Sequence, residues 1–194
     1  MIEYPCTADE AVSRLARMVN HGGQYVYGTG DYDPHDFLDL PWTMSKRMAG
    51  SDCAGAAICY AWKLVRSRPG FNKGAWASIE DDINVNSAME DGCHKNELFQ
   101  WVATRDVQPG DLLCYPSFTF GGKDFIGHVA LVEFVKPRFA GSYRFMDLVV
   151  LQCHGPNGFR PGVVRTDGSI WDHHDSIWPL PEHRTKVIRP LERK

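Results

Sequence analysis

Thr7-Ala8-Asp9-Glu10 has the form of a capping box, and Val12, Leu15, Ala16 and Val19 follow it at helical spacing until Gly22-Gly23. A threonine oxygen placed three residues before a glutamate satisfies backbone N–H groups that a helix start leaves open, so this spacing predicts an amphipathic helix. Gln24 to Gly30 is a short aromatic and β-branched piece ending in glycines; Asp31 to Gly50, rich in Asp, Pro and Gly without a clean period, predicts an inserted loop. The apolar, small-residue run that begins at Cys53 predicts a helix to about Arg66, ended by Ser67-Arg68-Pro69-Gly70. Signals are mixed from Phe71 to Gly92, around Glu80-Asp81-Asp82, and Leu98, Phe99 and Val102 then fall at a spacing that predicts a further helix.

Past residue 107 the pattern changes. Val107-Gln108-Pro109-Gly110-Asp111 is a turn leading into Leu112-Leu113-Cys114-Tyr115, and Gly127 to Val135, Tyr143 to Cys153, Gly162 to Thr166 and Thr185 to Arg189 are β-branched runs divided by Gly and Pro. Helices first and strands second is the order of an α+β domain, with N-terminal helices packed on a mainly antiparallel β-sheet. No repeat, low-complexity tract or interdomain linker interrupts it, so residues 1–194 read as a single catalytic domain with insertions near 31–50 and 71–103.

With 194 residues, 43% of them hydrophobic, the chain is long enough to bury a core without a metal or disulfide. Its net charge of −3 gives no electrostatic reason to expect nucleic acid or an anionic membrane as partner. Cys6, Cys53, Cys59, Cys93, Cys114 and Cys153 are too scattered for a disulfide scaffold and are expected to be reduced thiols. No apolar run nears membrane-spanning length, and Met1 to Pro5 lacks a signal-peptide pattern. The expectation is a protein made in the cytoplasm without a signal peptide or membrane insertion, reaching any outside substrate by release or delivery.

The chemistry centres on Ser51-Asp52-Cys53-Ala54-Gly55, where a loop gives way to a helix. A thiol in a helix's first turn faces unpaired backbone N–H groups and the positive end of the helix dipole, both of which favour thiolate. Such a nucleophile needs a base, a group to orient the base, and donors for the developing oxyanion. Gly127-His128-Val129 puts a histidine at the start of a strand, and His154 ends the run Leu148 to Cys153. Gln152, of the same strand parity as His154, is the alternative orienting group. Asp52 beside the thiol would oppose its ionisation, so a capping role suits it better.

Tyr25-Val26-Tyr27-Gly28, Asp52-Cys53-Ala54-Gly55, Gln108-Pro109-Gly110-Asp111-Leu112-Leu113, Gly127-His128-Val129-Ala130 and Val150-Leu151-Gln152-Cys153-His154-Gly155 occur in the order found in the NlpC-type cell-wall peptidases. The chain resembles that branch of the papain-like cysteine hydrolases from Tyr25 to about Trp171. The resemblance implies a papain-like fold, with Cys53 as nucleophile, His128 as general base, His154 as the residue fixing the imidazole, and Tyr25 helping the Cys53 backbone N–H to bind the oxyanion. It implies cleavage of an amide in peptidoglycan stem peptides, of the D-Glu to diamino acid endopeptidase type, through a thioester and without a cofactor. The family usually has Ser after the nucleophile, where Ala54 stands here. The absence of a wall-anchoring repeat adds a likeness to phage lysins, although a bacterial effector or a wall-recycling enzyme reads much the same.

Two alternatives stand beside this reading. One is a CHAP-type amidase cutting between sugar and peptide, or an acyltransferase, on the same fold; the other is an inactive wall-binding module. Cys93-His94 and His173-His174-Asp175 lack the ligand spacing of a zinc site, which leaves a solvated loop as the reading of the two histidines and no metal expected. Gly28-Thr29-Gly30 lacks the remaining features of a dinucleotide loop. Aromatic residues make up 12% of the chain, including six Trp, which suggests a stacking or sugar-binding surface as well as core packing.

Overall fold

The computed structural model describes residues 6–19, 24–25, 50–51, 53–62, 85–137, 144–153, 163–178 and 180–191. Helix α1, Ala8–Ala16, opens with the expected capping box: Thr7 Oγ1 accepts from the Glu10 N–H at 3.2 Å, and the Thr7 N–H donates to Glu10 Oε2 at 2.9 Å. Two short strands, β1 (Gln24–Tyr25) and β2 (Gly50–Ser51), pair in parallel, with Tyr25 opposite Ser51. Helix α2 starts at Cys53 and is π-wound over Gly55–Ala61. Its small residues Ala54, Ala56, Ala57 and Ala61 are all buried, which lets the helix lie close to its neighbours. Helix α3, Val85–Glu90, continues as a π turn over Asp91–Lys95 and is ended by Asn96 at φ 53°.

The remaining strands are β3 (Phe99–Val102), β4 (Leu112–Tyr115), β5 (Phe118–Phe120), β6 (Lys123–Phe125), β7 (His128–Val135), β8 (Leu148–Cys153), β9 (Val163–Asp167) and β10 (Lys186–Pro190). Helix α4, Ser169–Ile177, lies between β9 and β10. Six strands form one sheet in the order β3-β10-β4-β7-β8-β9, antiparallel throughout, and β5 and β6 form a separate hairpin. The domain is therefore α+β with a mainly antiparallel sheet. Among the described residues no helix is long and apolar enough to cross a membrane.

Alternate residues of a strand point to opposite faces, so this sheet feeds two cores. Leu112, Cys114, Val129, Leu131, Leu151, Cys153 and Ile188 join Leu15, Ile58, Trp62 and Ala88 of the first three helices. On the other face Leu113, Ala130, Val132, Leu148, Val150 and Val187 join Trp171 of α4. Burial on both faces explains why β7 and β8 read as nearly unbroken apolar runs instead of alternating ones.

Asp111 fastens the C-terminal strand to this frame. Its buried carboxylate accepts from Arg189 Nε at 2.7 Å, from Arg189 Nη2 at 3.0 Å and from the Gln108 N–H at 2.9 Å. Asp111→Ala takes the carboxylate away from a guanidinium that is only a quarter exposed and whose Nη2 also donates to the Asp106 carbonyl at 2.9 Å, and is expected to lower unfolding stability by about 3 kcal/mol, with a smaller loss for Asp111→Asn. Equilibrium denaturation in urea measures both.

Two sequence expectations are corrected. Leu98, Phe99 and Val102 do not continue a helix: Phe99–Val102 is the edge strand β3, paired with β10. The carboxylate of Asp91 accepts from the N–H groups of Glu97 and Leu98, turning the chain out of α3 immediately before it. An edge strand with a buried, exposed, exposed, buried pattern mimics helical spacing, which is why periodicity misleads there. His173 and His174 belong to α4, not to a solvated loop. The hairpin β5–β6 and helix α4 were not expected, and the expectations for residues 26–49 and 63–84 lie outside the described residues.

Candidate active site

Strands β4 and β7 meet with Tyr115 directly opposite His128, at the end of the sheet from which the β5–β6 hairpin departs. Gly127 is needed there, because a Cβ at that position would stand 2.7 Å from the Ser117 nitrogen and 2.8 Å from the Tyr115 carbonyl oxygen. The Gly127 N–H donates to Ser117 Oγ at 2.7 Å, and the Ser117 N–H donates to Asn86 Oδ1 at 2.8 Å. The Gly-His pair is thereby held at the strand's first residue.

His128 is buried, and its Nε2 lies 2.7 Å from Gln152 Oε1. The β7–β8 register, Leu131 opposite Leu151, makes Gln152 the diagonal same-face neighbour of His128. Gln152 Nε2 in turn donates to Thr166 Oγ1 on β9 at 2.7 Å. An amide oxygen only accepts, so with this orientation the imidazole carries its proton on Nε2. Gln152, the alternative weighed from strand parity, thus occupies an orienting position. His154 lies outside the described residues.

Aromatic rings enclose the imidazole. Trp171, fully buried on α4, stacks on His128 with ring centroids 5.6 Å apart and an interplanar angle of 29°, and Tyr115 lies 5.9 Å away on a tilted plane. Low dielectric around the His128–Gln152 bond strengthens it and keeps water from competing. Tyr115 also stacks on His174 at 4.0 Å, and His174 Nδ1 lies 3.2 Å from Asp175 Oδ1, which accepts from the Thr185 N–H and hydroxyl.

Cys53 is buried at the start of α2, whose chain follows from β2, the partner of Tyr25's strand. Burial first, and then the Cys53 sulfur in its ionised form, push the Tyr115 hydroxyl up to about 12. Tyr115 therefore keeps its proton at any physiological pH and remains a donor. Cys114 is fully enclosed, and burial, followed by the charges of Cys53 and Cys93, holds its thiol well above the usual range. A thiol so placed is a poor nucleophile, which leaves Cys53, at the loop-to-helix junction, as the better placed of the two. Tyr25 pairs with Ser51 through its backbone, and its side chain lies outside what is described.

A cavity of about 300 Å³ lined by Trp62, Gln108, Asp111 and Arg189 sits at the other end of β4, away from Tyr115 and His128. No group of three or more His, Cys, Asp or Glu suited to a metal ion occurs among the described residues. Sequence reasoning missed Tyr115, Thr166 and Trp171, none of which stands in a motif that announces it.

The Gln152 contact makes a prediction about proton affinity. A carboxylate at this position, in Gln152→Glu, stabilises the imidazolium, and His128 is expected to bind its proton at least about tenfold more tightly. An NMR pH titration of the His128 ring reads the change, while Gln152→Leu shifts it the opposite way. Compared with protein-family models, with curated proteins and with solved structures, the chain matches none.

Proposed function

We propose that this chain is a papain-like cysteine hydrolase that cleaves an amide bond in the stem peptides of bacterial peptidoglycan, of the D-Glu to diamino acid endopeptidase type. The observation that carries the catalytic part is the buried His128–Gln152 hydrogen bond of 2.7 Å. The substrate class rests on the resemblance of the five ordered motifs to the NlpC-type peptidases.

In this reading Cys53 Sγ attacks the amide carbon as its proton passes to His128 Nδ1, and the carbonyl electrons move onto oxygen. The Cys53 backbone N–H and the Tyr25 hydroxyl are the donors assigned to that oxyanion. Collapse of the tetrahedral adduct breaks the C–N bond, and the leaving amine takes the proton from His128, giving a thioester. A water molecule then loses a proton to Nδ1 and attacks the thioester, releasing the carboxylate and the thiol. Through both halves Gln152 holds the ring by its Nε2–H, so that the same nitrogen faces the reacting atoms.

The test is digestion of purified sacculi of known composition, followed by mass analysis of the products. New amine termini on the diamino acid, paired with new carboxyl termini on D-Glu, are the expected result. Release of L-Ala amines from the sugar lactyl group would assign the amidase reaction instead, and no new termini would refute the proposal.

A further inference from the structure

The aromatic surface that continues outward from Tyr115 takes no part in the chemistry above. Phe118 stacks on His183 at 4.0 Å and on Phe125 at 5.1 Å. Trp178, just past α4, meets Phe118, Phe120 and Phe125 edge-on at 5.0, 5.4 and 4.7 Å. His174 links this group to the site, lying against Tyr115 on one side and 6.5 Å from Phe118 on the other.

Seven large hydrophobic side chains are exposed among the described residues, and four of them are at 49 to 56% exposure in or next to the segments that build this cluster: Phe120 on β5, Ile126 just past β6, Ile177 at the end of α4 and Leu180 two residues past Trp178. Such a concentration marks an interaction surface. The nature of its occupant is limited by the hairpin tip. Gly121 and Gly122, both at positive φ with open space around them, put exposed Lys123 and Asp124 beside Phe120, with Glu182 and Arg184 exposed nearby. Sinking this tip into hydrocarbon would strip water from both charges at a cost that the adjoining apolar area does not offset. Two cations balanced by two anions give no pull towards an anionic surface either.

A ligand that suits such a surface has apolar faces and a hydrogen-bonding rim, and it is continuous with whatever lies at His128. A pyranose ring fits both requirements: its C–H faces stack on aromatic rings, while its hydroxyl and acetamido groups suit the exposed Lys123, which shares the Phe120 face of the hairpin, and the exposed Glu182 and Arg184. We infer that the Phe120–Trp178 surface is a subsite for the N-acetylhexosamine glycan that carries the stem peptide. This inference rests on the proposed function for its substrate, and on the aromatic surface alone for its ligand chemistry.

Two measurements test it separately. Calorimetric titration with a β-1,4-linked N-acetylglucosamine oligomer is expected to show saturable binding, weakened about tenfold by Phe120→Ala and largely restored by Phe120→Tyr. In kinetics, Phe120→Ala is expected to raise KM for a sugar-linked muropeptide by a similar factor, with turnover of the free stem peptide unchanged. Phe120 is more than half exposed, so its removal spares the packed rings beneath. Absence of oligomer binding overturns the inference. So does equal KM for the two substrates in the wild-type protein, or a loss on Phe120→Ala confined to association with phosphatidylcholine–phosphatidylglycerol vesicles. If the wild-type protein cleaves neither substrate, the proposed function fails and the oligomer titration still decides the subsite.

Discussion

Cys53→Ala is expected to lower kcat on a stem-peptide amide by at least about ten-thousand-fold, while the folded state persists. The mechanism has no substitute for the sulfur, because covalent capture of the acyl group is the step that divides amide cleavage into two easier ones. Structure tolerates the change better than chemistry does. Cys53 is buried among alanines at the start of α2, so removing one sulfur leaves a small void costing about 1 kcal/mol. In a chain of this length that is a fall of only about 2–4 °C in Tm. Cys114→Ala supplies the control, since Cys114 is a thiol at least as buried as Cys53 and in the same core. The expected contrast is lost turnover with Cys53→Ala and retained turnover with Cys114→Ala, at matched stability. Full turnover by Cys53→Ala on peptidoglycan would remove the thiol from the mechanism.

Local chemistry was the most readable layer of this fold. The Thr7–Glu10 capping box forms as the sequence predicts, because both partners lie within one helical turn. The strand runs after residue 111 likewise appear within a residue or two of the expected limits, except that β8 begins at Leu148, after a 3₁₀ turn over Phe145–Asp147. Elements whose stability comes from distant partners were harder to see. Helix α4 carries Asp172, His173, His174 and Asp175, poor helix formers all, and is held by Trp171 in the core and by Asp172 accepting from the N–H groups of Phe145 and Met146. Edge strand β3 is held by β10, almost ninety residues later, and nothing in its own four residues records that.

The same distinction divides the site. Cys53 and His128 stand in short motifs whose local geometry is informative: a loop-to-helix junction for one, and a glycine that permits close backbone approach for the other. The group that orients the imidazole depends on β7–β8 register, which parity alone cannot fix. Gln152 and His154 share a strand face in principle, and the observed pairing gives Gln152 a 2.7 Å contact with His128. Trp171 and Tyr115 come to the imidazole from α4 and β4, on parts of the chain more than fifty residues apart. Their contribution is tertiary, and neither residue type nor spacing foretells it.

His128→Ala separates a catalytic imidazole from a structural one. Loss of the base is expected to reduce kcat/KM by about a thousandfold near neutral pH, within the range assigned to positioned proton transfer. Stability falls less, because the substitution removes a ring and leaves the Gln152 carbonyl oxygen without its donor, at about 1–3 kcal/mol. Assays well below the unfolding midpoint therefore report chemistry. The pH profile carries the stronger signature: the wild-type protein should show a bell, whereas the variant should show a rate that climbs with pH as solvent takes over removal of the thiol proton. Tyr115 and Trp171 flank the vacated space, so added imidazole has a slot between two aromatic rings and is expected to restore part of the rate. Rescue that grows with the neutral form of imidazole would identify His128 as the base, whereas an unchanged rate in the variant would make it a packing residue and end the proposal for this site.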